Sequence, residues 1–353
     1  MNRALSDLRL PELEQQLAAW GVKPVHAARV LRAFYTTGGQ LVLPERPAVP
    51  EGLLARIQAE WPLTSSTLAA RQQAEDGTVK LLLRLHDGRT VESVLMPGFQ
   101  ADRAAGCLSS QVGCAMGCDF CATTKTGFER NLTAGEMVEQ FLALRREALA
   151  AGRRLQTIVF MGMGEPMLNL PAVLEAVDRI ADNRLGGLGW RAITVSTVGL
   201  VPGIDALNAA NLNLNLAVSL HAPDDATRVA LLPAGRGYAI AEIMAAADRF
   251  QAAHSGRPVT IQYCLLHGVN DAVEQARALA ALLDGRRMHV NLLNYNATGI
   301  SLRGRAYQPA TDEAAAAFVA ELRAAGVVAH FRRSRGPDID AACGQLRRRL
   351  AGG

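Results

Sequence analysis

Gly113-Cys114-Ala115-Met116-Gly117-Cys118-Asp119-Phe120-Cys121 spaces three cysteines as C-x3-C-x2-C. Three thiolates are one short of the four that a 4Fe-4S cluster takes, so one iron of such a cluster stays open to a substrate or cofactor. A structural zinc site instead closes with four ligands, commonly as paired knuckles, and no second knuckle follows here. Cys107 is available as a fourth zinc ligand, and buried or redox cysteines are a further reading, so the spacing favours the open cluster without closing the alternatives. Phe120 puts an aromatic ring beside the third cysteine, where a flat base can lie against it.

Downstream of the cysteines the chain alternates between strand and helix. The apolar runs Thr157–Phe160, Ile193–Val195, Leu214–Leu220, Val259–Cys264 and Val290–Leu293 read as buried parallel strands. Helices are expected over 133–151, opened by the capping box Thr133-Ala-Gly-Glu136, and over 171–181, 272–283 and 311–325. Repeated βα units of this kind curl into a full or partial barrel whose ligands sit on the loops after the strand C-termini. The turn Gly162-Met163-Gly164-Glu165-Pro166 lies there; its glycines admit a ligand close to the backbone, and Glu165 suits an ammonium group. Ser196, Ser219, His221, Asn294 and Asn296 end later strands on the same rim. Each alone reads as a cap or turn former, but together they suggest a shared polar ligand.

Upstream, helices are expected over 11–20 and 24–35, stopped by Gly21 and by Gly38-Gly39. The stripe Val30, Leu31, Phe34 and Tyr35 reads as a small core. Two alternating runs, 79–85 and 90–96, flank His86-Asp87-Gly88 and predict a β-hairpin. Met96-Pro97-Gly98-Phe99 breaks the pattern and puts a boundary near residue 95. The expected division is an accessory domain over 1–95 and a core over 96–353.

The chain has 353 residues, ample for a sizeable core, and a net charge of +4 that does not by itself identify a nucleic-acid binder. Arginines gather towards the C-terminus at Arg332, Arg333, Arg335, Arg347, Arg348 and Arg349, and guanidinium forks suit phosphate oxygens. The N-terminus lacks the apolar stretch of a signal peptide, and no window approaches a membrane span. Clustered thiols suit a reducing compartment, so a cytoplasmic location without membrane attachment is expected.

Cys114, Cys118 and Cys121 with Phe120 resemble the cluster motif of the radical S-adenosylmethionine superfamily, and Gly164-Glu165 resembles its motif for the methionine amino group. Further segments match in order: Cys107-Leu-Ser-Ser-Gln-Val-Gly-Cys114, Asn131-Leu-Thr, Gly162-Met-Gly-Glu-Pro, Ser219-Leu-His-Ala-Pro223 and Asp338-Ile-Asp-Ala-Ala-Cys-Gly-Gln-Leu346. With them the resemblance narrows to the RlmN/Cfr family of RNA adenosine methyltransferases and spans about residues 75 to 346. Within it the chain looks most like the RlmN branch.

That resemblance implies an α/β fold: a partial (β/α)6 TIM-like radical-SAM barrel with a small helical N-terminal domain and a β-hairpin. It implies that Cys114, Cys118 and Cys121 hold one 4Fe-4S cluster and that Gly164, Glu165, Ser196, Ser219, Leu220, His221 and Asn296 contact S-adenosylmethionine. Cys343 would carry the methyl group taken from one S-adenosylmethionine, and a radical made from a second would activate it. Glu92 would accept the ring proton, and Cys107 would release the product by forming a disulfide with Cys343. A radical is needed because a carbon flanked by ring nitrogens has no electron pair to offer a sulfonium. The implied substrates are adenosine C2 of 23S rRNA and of tRNA, with C8 the near alternative. A flavodoxin-like or other one-electron donor and a monomeric state are implied as well. Asn296 sits in Leu292-Leu-Asn-Tyr-Asn-Ala297, which departs from the family's proline-rich run, and Thr298–Arg305 is also unusual. Cys264 reads as structural. A non-enzymatic zinc or redox module is the competing class, motivated only by the cysteine cluster.

Overall fold

The computed structural model describes residues 3–43, 48–254 and 257–346, so Arg347, Arg348 and Arg349 lie outside the described residues. The chain opens with α1 (Leu10–Ala19), α2 (Val25–Thr36) and α3 (Leu53–Glu60). Pro11 sits in the first turn of α1, and the Glu12 carboxylate accepts the Arg9 N–H at 2.7 Å, which stops an orphan donor from fraying the end. The apolar faces Leu10, Leu13, Leu17 and Val30, Leu31, Phe34, Tyr35 are buried, as the stripe predicts. At ~2 kcal/mol for each large side chain, that burial holds the short helices in place.

A three-stranded antiparallel meander follows: β1 (Thr67–Gln73), β2 (Val79–Arg84) and β3 (Thr90–Pro97). β4 (Arg103–Cys107) pairs antiparallel with β3 on one side and parallel with β7 (Arg154–Phe160) on the other. Between them β5 (Gln111–Gly113) pairs with β6 (Phe128–Asn131), bracketing the cysteine loop and the short α4 (Ala122–Lys125). α5 (Ala134–Ala150) is buried over most of its length, and its Thr133–Glu136 capping box forms as the sequence predicts. The alternation then runs α6 (Leu170–Ala181), β8 (Ile193–Thr197), α7 (Val201–Ala209), β9 (Asn215–Ser219), α8 (Asp225–Leu231), α9 (Ile240–Ala253), β10 (Val259–Leu265), α10 (Val273–Leu283), β11 (Met288–Asn294), α11 (Asp312–Ala324) and β12 (Val328–Arg332).

The main sheet has ten strands in the order β1-β2-β3-β4-β7-β8-β9-β10-β11-β12 and is parallel from β4 onward. It is the α/β partial barrel expected, with one more parallel strand than the expected six. The addition is β12, an edge strand whose only fully buried residue is Ala329 and whose sequence therefore carries little apolar signal. The segment after β12 crosses to the opposite edge of the sheet. There Gly336 N donates to Asp76 Oδ2 at 3.3 Å, Glu75 N to Asp338 Oδ2 at 3.2 Å, and Lys80 Nζ to the Asp340 carbonyl at 3.3 Å.

The expected break near residue 95 falls inside β3, whose Val94–Pro97 pair with Cys107–Ala104 of β4, so the hairpin is continuous with the barrel sheet. The N-terminal helices are fastened to the barrel helices by buried polar groups. Glu139 on α5 accepts from Ser6 Oγ, Ser65 N and Oγ, and Ser66 N, while Arg179 on α6 donates to the Tyr35 hydroxyl at 2.9 Å and to the Ser6 carbonyl. Leaving such groups unpaired would cost several kcal/mol, on the order of 1–3 each, so they fix where the helices dock. Among the described residues no helix is long and apolar enough to cross a membrane.

Candidate active site

The cysteine loop is shaped by its glycines, and backbone N–H groups act on its thiols. Gly113 has φ 78°, and a Cβ there would lie 1.8 Å from the Gly127 carbonyl oxygen, so the strand pair that launches the loop requires glycine. The backbone N–H groups of Met116 and Gly164 act on the Cys114 thiol, and those of Thr123 and Thr124 on the Cys121 thiol, in the direction that favours the thiolate. Cys114 is buried, and Cys118 and Cys121 are half-buried. Burial first, then charge on neighbouring thiols and Glu165, pushes the Cys114 thiol up to about 12 and Cys118 well above its ordinary value. Thiols this desolvated ionise only when a cation takes the proton's place.

Among the described residues no three His, Cys, Asp or Glu side chains converge tightly enough to share one metal ion. Three thiols on one short loop, with backbone N–H groups nearby that favour the thiolate, are a donor set that suits an iron-sulfur cluster.

The glycine-rich turn after β7 packs on the cysteine segment. Gly164 has φ 100°, and a Cβ there would meet Gln111 at 2.6 Å; a Cβ on Gly162 would meet Ser109 Oγ at 2.6 Å. Ser109 Oγ donates to the Glu92 carbonyl at 2.6 Å and accepts from Met163 N at 2.8 Å, while Gln111 Oε1 accepts from Glu165 N at 2.9 Å. Asn169 Nδ2 donates to the carbonyls of Ser110 and Leu132, both at 2.8 Å. The Glu165 carboxylate is buried, accepting from Met167 N at 3.1 Å and Val198 N at 2.9 Å; burial raises it to about 7. A cationic group beside it would favour the charged form.

Ser196 lies in β8, Ser219 ends β9, and Leu220 and His221 follow directly, so these residues share the C-terminal rim of the parallel strands with Glu165. His221 has φ 59° and accepts the Cys264 N–H on Nδ1 at 2.9 Å. Burial, then the Arg228 guanidinium, drives it down to about 3, which keeps the imidazole neutral. Phe120 is buried edge-on to His221, ring centroids 5.0 Å apart, so part of its ring is already covered by protein. Asn294 is spent on backbone, donating to the Ala310 carbonyl at 3.0 Å and accepting from Tyr295 N at 3.1 Å. Asn296 Nδ2 donates to the Cys343 carbonyl at 3.4 Å.

Cys343 is brought to this rim by the segment that crosses the sheet. Ala122 N donates to the Gly344 carbonyl at 2.6 Å, Thr123 Oγ1 to the Leu346 carbonyl at 2.8 Å, and Gln345 Nε2 to the Ala297 carbonyl at 3.3 Å. The Cys343 residue is exposed at the surface while its thiol is crowded by the site, and burial of the thiol first, then the charge of Cys121, raises it above its ordinary value. Cys107, at the end of β4, is buried; burial and then Cys343 push its thiol up to about 12. All six cysteines are free thiols, so the Cys107–Cys343 disulfide implied by resemblance is not formed in this structure. Glu92 on β3 is fully buried and paired with Lys80 Nζ at 3.4 Å.

Sequence reading missed several neighbours. Cys264, read as structural, is close enough to Cys343 and Cys121 for their charges to raise it, after burial. Arg228 is buried beside Cys118 and donates to the Val198 carbonyl. Asp119, between two of the cysteines, is buried against residues far downstream. Charge inside an apolar segment was the available signal for Arg228; none existed for the other two.

A family model described as the radical SAM superfamily matches residues 108–280. A probable dual-specificity RNA methyltransferase RlmN 1 of Opitutus terrae is 71% identical over 98% of this chain and 97% of its own length. A dual-specificity RNA methyltransferase RlmN of Anaeromyxobacter sp. is 42% identical over 97% of this chain and 90% of its own. The crystal structure of a radical SAM methyltransferase from Sphaerobacter thermophilus superposes with a TM-score of 0.89 at 45% identity, covering 98% of this chain and 99% of that one.

Proposed function

This chain belongs to the RlmN family of radical SAM dual-specificity RNA methyltransferases, and we propose that it methylates C2 of adenosine in 23S rRNA and tRNA through a methyl group carried on Cys343. The zinc or redox binding module is thereby set aside. The observation that carries the proposal is the return of the segment after β12, which fastens Cys343 beside the cysteine loop through Ala122, Thr123 and Asn296 on the side of the sheet where β4 ends at Cys107.

Cys114, Cys118 and Cys121 would hold the 4Fe-4S cluster, and Gly164, Glu165, Ser196, Ser219, Leu220, His221 and Asn296 would line the place of S-adenosylmethionine. Bound there, the two supply the one-electron chemistry that an electron-poor ring carbon requires. The Glu165 carboxylate offers its charge to the ligand's ammonium group, and neutral His221 keeps its lone pair on the Cys264 N–H, stiffening the rim. Cys343, exposed and held by four backbone anchors, is the thiol able to accept a methyl group by displacement and present it to a base. Glu92, its charge compensated by Lys80, takes the ring proton. Cys107, protected from solvent until product release, attacks the Cys343 sulfur. The S–S bond of a transient disulfide forms as the bond from that sulfur to the carried carbon breaks, and the carbon leaves with the bonding pair and takes a proton to become the methyl group of the base. An external one-electron donor, a monomeric state and an accessory role for the first 95 residues complete the proposal.

Alanine replacements test this division of labour. Cys343→Ala abolishes methylation, whereas Cys107→Ala methylates Cys343 and accumulates a covalent RNA adduct visible as a shifted band on a denaturing gel. Normal turnover by Cys107→Ala would reject the release step.

A further inference from the structure

Asp119 has no role in that scheme, yet it is the most elaborately held residue in the cysteine loop. It stands between Cys118 and Cys121 and is buried to 1% exposure. Its Oδ2 accepts from the Ser301 hydroxyl at 3.0 Å and the Tyr307 hydroxyl at 2.7 Å, and its Oδ1 accepts from the Arg303 backbone N–H at 3.1 Å. All three donors belong to the loop after β11, and none to the cysteine loop itself. An aspartate serving as a local turn former would accept from N–H groups two or three residues ahead.

The same two loops meet at further points. Thr298 Oγ1 donates to the Phe120 carbonyl at 3.3 Å, Lys125 Nζ donates to the Thr298 carbonyl at 2.6 Å, and Tyr295 shares a hydroxyl contact with Thr298 at 2.9 Å. Arg303 Nη1 continues the tie to the Ala230 carbonyl at 2.9 Å. Segment 295–307 thus lies across the cysteine loop as a clasp, and among the described residues Asp119 is the carboxylate that fastens it.

We propose that Asp119 is a positioning residue for the iron-sulfur cluster, clasping segment 298–307 to the cysteine loop so that Cys118 and Cys121 keep their spacing with a fixed negative charge between them. A centre held by three protein ligands has one fewer anchor than a closed site, so the rigidity of the loop bears directly on how long iron is retained. A charge beside the ligands also acts on the reduction potential, since reduction adds negative charge. This inference rests on the reading of the triad as cluster ligands.

The test is anaerobic reconstitution of the full-length wild type and of Asp119→Ala, Asp119→Asn and Tyr307→Phe with iron and sulfide. Iron release to a chelator is then timed, and the reduction midpoint is followed by electron paramagnetic resonance. Loss of charge-assisted hydrogen bonds predicts iron release about tenfold faster in Asp119→Ala and about threefold faster in Tyr307→Phe. Asp119→Asn keeps the shape, and the Ser301 and Tyr307 hydroxyls can rotate to accept from its amide. It retains iron much as the wild type does but raises the midpoint, a change that a purely structural role would not produce. If Asp119→Ala does not fold, Tyr307→Phe and Asp119→Asn decide alone. Wild-type release rates in Asp119→Ala or Tyr307→Phe, or an unmoved midpoint in Asp119→Asn, would overturn the proposal. A wild type that assembles no such cluster would instead overturn the cluster reading, and this proposal with it.

Discussion

Gly164 shows how much of the site depends on single backbone positions. With φ 100° and Gln111 already where a Cβ would stand, Gly164→Ala must either twist the turn or push β5 away. We expect a stability loss of about 1–3 kcal/mol from overpacking and strain, read as a lower denaturant midpoint, together with weakened S-adenosylmethionine binding. Gly88→Ala, also at positive φ but with open space around it, serves as the control and leaves ligand binding intact. At this scale the triad, Glu165 and Cys343 stand out in the sequence because the proposed chemistry restricts residue type there. Asp119 and Cys264 were illegible because their partners are supplied by strands and loops distant in sequence. Asn294 reads as a rim ligand on the same grounds as Asn296, and only its bond to the Ala310 carbonyl shows its amide to be spent on the backbone of a segment sixteen residues on.

Among the elements, the β2–β3 hairpin is held to the barrel at its tip. Asp87 accepts from Arg130 Nε at 2.7 Å and from Arg89 Nη1 at 2.9 Å, and Arg130 forks onto Glu136 at 2.8 Å through both of its terminal nitrogens. The Arg130 hydrogen bond, opposed by burial and aided by Arg89, holds the Asp87 carboxyl far below its usual range. A depressed carboxyl contributes stability that is fully present above its unfolded pKa of about 3.9 and disappears as pH falls below that value towards the folded one. Asp87→Asn should therefore cost about 1 kcal/mol at pH 7, discounted for partial exposure, and the deficit should shrink below about pH 4. Denaturant melts at pH 7 and pH 3 check this; an equal deficit at both would show that the carboxylate charge is not what fastens the hairpin. Helices α5, α6, α10 and α11 were legible from caps and periodicity, as at Thr133–Glu136, whereas α7, α8 and α9 were not, α7 and α9 opening on Leu200 and Ala239 with no side-chain cap. β12 was not, because an exposed edge strand needs few apolar residues, and the continuity of β3 with β4 was hidden by the turn residues Pro97-Gly98.

For the whole molecule, topology does what no local motif does. Parallel strands from β4 to β12 put Cys107, Glu165, Ser196, Ser219, His221 and Cys264 at one rim, and the segment after β12 returns across the open sheet to deliver Cys343 there. The order of motifs in the chain was readable from sequence; their convergence is a property of the sheet. That convergence makes carbon transfer to RNA the central claim, and nucleoside mass spectrometry of rRNA and tRNA from a deletion strain, set beside the same strain complemented with wild type or Cys343→Ala, tests it most directly. The account predicts that 2-methyladenosine disappears from both RNAs on deletion and returns with the wild type but not with Cys343→Ala. Unchanged 2-methyladenosine, or loss of a C8-methylated adenosine in its place, would contradict it.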